Sequence, residues 1–172
     1  MVNAGRSYER ILPADLLRLA EIARRDRESF FLRNPRYAPL RDCVIAVALC
    51  QGAALHFVNG LNGIKDIDVW TFYRAIPGVE YPPRRPVASY DFGDPKFGKT
   101  PDSPRFIGRR VDCLGRSFNV QSAKNPVLAL RSYLRHPRTR SASELAAKAV
   151  VVIEPTDFLG TVAWPLDARP AV

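Results

Sequence analysis

Two carboxylates stand one residue apart in Asp66-Ile67-Asp68-Val69, inside the β-branched and aromatic run 64–73. That composition predicts a strand, and on a strand residues i and i+2 face the same side. Asp66 and Asp68 then present two like charges to one face, with Ile67 and Val69 on the other. Such a pair is unfavourable unless water solvates it or a cation neutralises it. A solvated strand end is the ordinary case. Magnesium, or manganese in its place, suits the other: it takes oxygen ligands, keeps part of its water shell and shares itself with phosphates. Upstream, Gln51-Gly52-Ala53-Ala54-Leu55 puts a glycine-containing turn between an apolar run and a short helix. Backbone N–H groups at such a turn can receive a triphosphate.

The order of glycine turn, short helix and Asp-x-Asp strand resembles the nucleotidyltransferase superfamily related to DNA polymerase β, in its minimal, abortive-infection type. That family's signature is an apolar residue, Gly, then Gly or Ser, and after a spacer Asp-x-Asp or Asp-x-Glu between apolar residues. Either Gly52-Ala53 or Gln51-Gly52 takes the place of the glycine pair, and the resemblance covers roughly residues 43–114. It implies a third carboxylate on a neighbouring strand, which Asp112 in Val111-Asp112-Cys113-Leu114 fits. Arg109 and Arg110 precede that aspartate and offer an ion pair as the structural alternative. The resemblance further implies that Asp66, Asp68 and Asp112 are the catalytic residues and bind Mg²⁺ or Mn²⁺. Asp112 would assist deprotonation of the acceptor, and Gln51, Gly52, Ala53 and Lys65 would lie at the nucleotide. The expected reaction transfers a nucleoside monophosphate from a nucleoside triphosphate such as ATP to a hydroxyl, releasing pyrophosphate. The acceptor is open among RNA, protein and small molecules.

Other signals carry less. Gly93-Asp94-Pro95-Lys96-Phe97-Gly98-Lys99-Thr100 matches the phosphate-loop pattern G-x-x-x-x-G-K-[ST], but a working loop must open a helix. Pro101 and Pro104 follow, and Pro104 would remove a backbone donor from the first turn. Residues 93–100 are therefore expected to form no such loop, though Lys96 and Lys99 could still approach an anion. Asp91 and Asp94 sit among Gly and Pro and read as loop residues. His56 and His136 are the only histidines, so a His-rich zinc site is ruled out. His56 reads as a packing or surface residue and His136 as a helix C-terminal residue suited to the dipole. Cys43, Cys50 and Cys113 lie in apolar stretches and read as reduced, buried thiols. Trp70 and Phe72 share the aspartates' face, where core packing competes with a base-binding wall.

The elements that must position these groups follow from periodicity. A helix is expected over 13–32, opened by Pro13 and stopped by Asn34-Pro35. The continuous apolar run 43–50, read as a buried strand with a helix as the alternative, a short helix closed by Gly60 and strand 64–73 come next. The Pro-rich excursion 77–104 has room for one short strand at 87–92. Beyond it come strand 106–114, a helix over 126–136 opened by Asn125-Pro126, and a helix over 142–148 capped by Ser141 or Ser143. Strand 149–153 follows, and the tail to Val172 carries no assigned element. This order predicts an α/β or α+β fold with a small mixed sheet flanked by helices, one domain over 1–172.

Composition narrows the class. At 172 residues and 47% hydrophobic content the chain is long and apolar enough to bury a core. No apolar run has the length of a membrane span, and MVNAGRSYER holds no apolar leader, so a cytoplasmic protein with no membrane partner is expected. Lys and Arg number 26 against 17 Asp and Glu, a net charge of +9 that suits a polyanionic partner. The same charge sustains an alternative: a non-catalytic basic protein that keeps this fold and binds nucleic acid or another partner.

Overall fold

The apolar run after Asp42 forms β1 (Val44–Cys50), a central strand. The chain leaves it through α2 (Gln51–Asn59) and returns antiparallel as β2 (Ile67–Arg74). The Pro-rich excursion contributes β3 (Ala88–Asp91) and then feeds β4 (Arg110–Phe118), which runs parallel to β2 and antiparallel to β3. On the other side of β1 lie β5 (Val150–Glu154) and the short β6 (Val162–Trp164). The six-stranded mixed sheet has the order β3-β4-β2-β1-β5-β6. The computed structural model describes residues 5–83, 85–122 and 124–170. Residues 1–4, Arg84, Ala123 and 171–172 lie outside them, so parts of the N-terminal reading, of the Pro-rich excursion and of the tail do too.

Helices cover both faces. α1 (Pro13–Arg33) buries Leu16, Leu19, Ala20 and Ala23, the stripe its periodicity demands. The Asp15 carboxylate accepts the Leu12 N–H at 2.7 Å, and the helix stops at Asn34 before Pro35. α1 and α2 pack on the face formed by Val47, Leu49, Ile67, Val69, Val111, Cys113 and Val151. α3 (Pro126–Arg135) and α4 (Arg140–Ala146) belong to the opposite face, with Ala46, Ala48, Cys50, Trp70, Phe72, Val150 and Val152. The alternation along every strand is the physical reason for two cores, since each side chain has only two faces to choose from.

Four details depart from the sequence reading. β4 starts at Arg110 rather than 106, because residues 106–109 are held in a loop: the Asp91 carboxylate accepts the N–H groups of Ile107 (2.6 Å) and Gly108 (2.9 Å). β2 starts at Ile67 rather than 64, since Ile64 pairs instead with Ser7. α4 begins at Arg140, where Thr139 Oγ1 accepts the Ala142 N–H at 3.1 Å, so Thr139 and not Ser141 or Ser143 is the cap. Cys43 ends a 3-10 segment, Pro35–Cys43, rather than opening β1.

Candidate active site

Strand directions bring four chain segments to one end of the sheet. β2 and β4 are parallel and both begin there, antiparallel β1 ends there, and β5 begins there. Asp68 is the register partner of Asp112 in β4 and of Cys50 in β1. Paired residues of adjacent strands point to the same face. Asp68 and Asp112 therefore stand side by side on the α3/α4 face of the sheet, as the resemblance implied. Asp66 lies in the bend just ahead of β2 and not on the strand as expected, so strand parity does not place it. It shares Arg110 with Asp112.

Arg110 is the hub of this cluster. It also shares Asp112's parity, two residues upstream on β4. Its Nη2 donates to Asp66 Oδ2 at 3.3 Å and its Nη1 to Asp102 Oδ2 at 2.7 Å. Its Nε lies 3.3 Å from Asp112 Oδ1, an ionic contact without hydrogen-bond geometry. Ser89, the register partner of Asp112 in β3, donates its hydroxyl to Asp112 Oδ1 at 2.6 Å. Asp68 has no such partner among the described contacts. Burial pushes its carboxyl up first and the charges of Asp66 and Asp112 add to this, while Lys148 and Arg110 pull the other way; the result is a pKa of about 7. Beneath it, burial and the Asp68 charge push the Cys50 thiol well up, so Cys50 is a neutral core group.

The glycine turn lies at the same end. Gln51 carries φ +58°, the left-handed region that favours glycine, so it occupies the place where the strand-to-helix turn calls for one. Gly52 follows, and its carbonyl accepts from Asn62 Nδ2 at 3.0 Å. Ala53 is buried, and the cap residue Cys50 makes no side-chain hydrogen bond to the first turn of α2. Lys65 is exposed just ahead of Asp66, and its carbonyl accepts from Arg109 Nη1 at 3.0 Å. Arg109 is buried and spends its guanidinium on the carbonyls of Gly5, Lys65 and Phe97. Of the two arginines before Asp112, only Arg110 serves as its ion partner.

Oxygen-only donors from Asp66, Asp68 and Asp112 match what a hard divalent cation takes. As arranged, however, no group of three or more His, Cys, Asp or Glu among the described residues is placed to hold one ion. Arg110 bridges Asp66 and Asp112 and supplies positive charge there.

The remaining candidates are structural. Residues 93–100 open no helix: Pro95–Phe97 is one 3-10 turn, followed by loop up to β4. Lys96 Nζ pairs with Asp15, and Asp94 accepts the Lys96 N–H at 2.8 Å. His56 is buried, with Nδ1 accepting the Gly63 N–H at 3.1 Å and Nε2 3.1 Å from the Glu9 carbonyl. His136 ends α3. Trp70 and Phe72 are buried in the core on the α3 side. Sequence reasoning missed Ser89 and Lys148. The signal for Lys148 was its position directly before the β5 run; Ser89 had only its parity on a short, half-buried strand. No protein-family model, no curated protein and no solved structure matches the chain.

Proposed function

We propose that the chain is a minimal metal-dependent nucleotidyltransferase of the DNA polymerase β-like kind. It would move a nucleoside monophosphate from a nucleoside triphosphate, ATP among them, to a hydroxyl acceptor and release pyrophosphate. One observation carries the reading: Asp68 and Asp112 are register partners on parallel strands, with Asp66 joined to Asp112 through Arg110 and α2 opening at the same end of the sheet. Asp66, Asp68 and Asp112 would hold Mg²⁺ or Mn²⁺. Bound there, the ion supplies charge neutralisation to the triphosphate and acidity to the acceptor hydroxyl. The N–H groups of Gln51, Gly52 and Ala53 orient phosphate oxygens at the positive end of α2. Lys65 and Lys148, both exposed at this end, add charge for the leaving pyrophosphate. Asp112, held by Ser89, takes the acceptor's proton. The reading goes with a cytoplasmic location, where nucleoside triphosphates are supplied. No helix among the described residues is long and apolar enough to cross a membrane.

A second reading has its own support. Arg110 already neutralises Asp66 and Asp112, and the chain carries a net charge of +9, as a non-catalytic basic nucleic-acid-binding or interaction protein would. One experiment separates the two. The protein is incubated with each radiolabelled nucleoside triphosphate, Mg²⁺ or Mn²⁺, and a pool of RNA, protein and small-molecule acceptors. Label transfer that disappears in Asp68→Asn and Asp112→Asn is the expected result. Absence of transfer with every triphosphate, and a melting temperature indifferent to metal and triphosphate, would overturn the transferase reading.

A further inference from the structure

Farther along β4, on the face that carries Asp112, lies a cleft of about 960 Å³ between the end of the strand, the segment after it and α3. The aspartates are not part of it. Its lining includes Arg116, Lys124, His136 and Arg138, and no Asp or Glu among the described residues. Some arginines elsewhere, Arg85 and Arg110 among them, have carboxylate partners. Arg116, Lys124 and Arg138 have none among the described residues, and Arg116 Nη2 meets only the Ser141 hydroxyl. Uncompensated charge gathered in a concavity focuses an attractive field on anions.

Two further observations define the ligand. Phe118 and Tyr133 both line the cleft, stacked on each other with ring centroids 4.3 Å apart and planes 10° apart. The Tyr133 hydroxyl and Arg116 Nε are both buried polar atoms with no hydrogen-bond partner. Buried donors of this kind call for an acceptor. An oxyanion beside Arg116 and Tyr133 meets that need and balances the charge, and a ring attached to it packs against these aromatics. The volume falls within the range of small-molecule sites.

We propose that this cleft binds a small phosphomonoester carrying a ring, with the phosphate at Arg116 and the ring toward Phe118 and Tyr133. The inference rests on the cleft alone and does not depend on the transferase reading.

The test is isothermal titration of the full chain in EDTA with AMP, ribose 5-phosphate, inorganic phosphate and uncharged adenosine. AMP binds one to one, more tightly than phosphate, and more weakly as salt rises, while adenosine does not bind. Arg138→Gln and Lys124→Gln, both at exposed positions, each weaken AMP by about tenfold with unchanged melting, as loss of a charge-assisted contact predicts. Tyr133→Phe weakens it a few-fold, and Asp68→Asn and Asp112→Asn bind AMP as wild type does. Four outcomes would overturn the proposal: no binding of any phosphomonoester, binding indifferent to Arg138→Gln and Lys124→Gln, AMP affinity lost in the aspartate variants, or a single-stranded oligonucleotide bound where AMP is not.

Discussion

Replacing Asp68 by Asn strengthens the metal-free protein, and more so in alkali than in acid. Burial and the neighbouring carboxylates raise the Asp68 pKa from 3.8 to about 7 in the folded state. Between those values the folded chain holds a proton that the unfolded chain has released. Stability is therefore fully present below the lower value and is lost as pH rises through the higher one. A shift of about three units corresponds to about 4 kcal/mol once the group is fully ionised. Asp68 is only partly enclosed, so solvent trims this, and a gain of about 1–3 kcal/mol near pH 8 is expected for Asn, which has the same shape and no charge. Urea denaturation of both proteins in EDTA, at about pH 5 and about pH 8, reads the difference directly. The gap widens with pH. A constant gap, or a variant less stable than wild type at the higher pH, refutes the argument that Asp68 is a carboxylate lacking a counter-ion. Added Mn²⁺ and triphosphate stabilise wild type and leave the variant unchanged if the transferase reading is right.

Arg110→Gln removes the shared partner of Asp66, Asp102 and Asp112, so the metal-free protein loses about 1–3 kcal/mol in denaturation, a figure that allows for partial exposure. The same variant binds Mn²⁺ more tightly in calorimetry, and an unchanged affinity contradicts the view that the guanidinium competes with a cation. Gln51→Gly relieves a left-handed backbone and raises stability by up to about 1 kcal/mol after the added chain entropy, read from thermal melts. Asp26→Asn breaks a buried network in which Asp26 accepts from Arg85 Nη1 and Nη2 at 3.0 and 2.6 Å and from the Tyr90 hydroxyl at 2.9 Å. With Arg85 left without its counter-charge, the loss in urea denaturation is about 3–5 kcal/mol.

The mixed sheet and its flanking helices were legible because their signals are local. A continuous apolar run marked β1 and β-branched and aromatic content marked β2, and Pro13, Gly60 and Asn125-Pro126 marked helix ends that hold in the structure. Asp112 beside Asp68 was reached through the resemblance, because which strands pair cannot be read from spacing, and Asp66 fell in a bend outside the strand that parity assumed for it. What escaped depends on partners far along the chain. The start of β4 is set by Asp91, and β6 spans only Val162–Trp164, too few residues to show a period. Ser89 gains its role from pairing with β4. Arg110 could have been chosen over Arg109 by parity, since Arg110 and Asp112 are two apart on one strand.

The parallel pairing of β2 and β4 has a consequence for the order in which the protein is made. Arg110 lies 44 residues beyond Asp66 in the chain. During synthesis the hairpin of β1, α2 and β2 is complete while the crossover is still being added, and it carries two carboxylates with no counter-ion and a strand edge with no neighbour. Such an edge is a template for pairing with another chain. Charged side chains at a strand edge discourage edge-to-edge association, and Asp66 and Asp68 place two at the start of β2. The arrival of β4 ends that interval: it covers the open edge of β2 and brings Arg110 to Asp66.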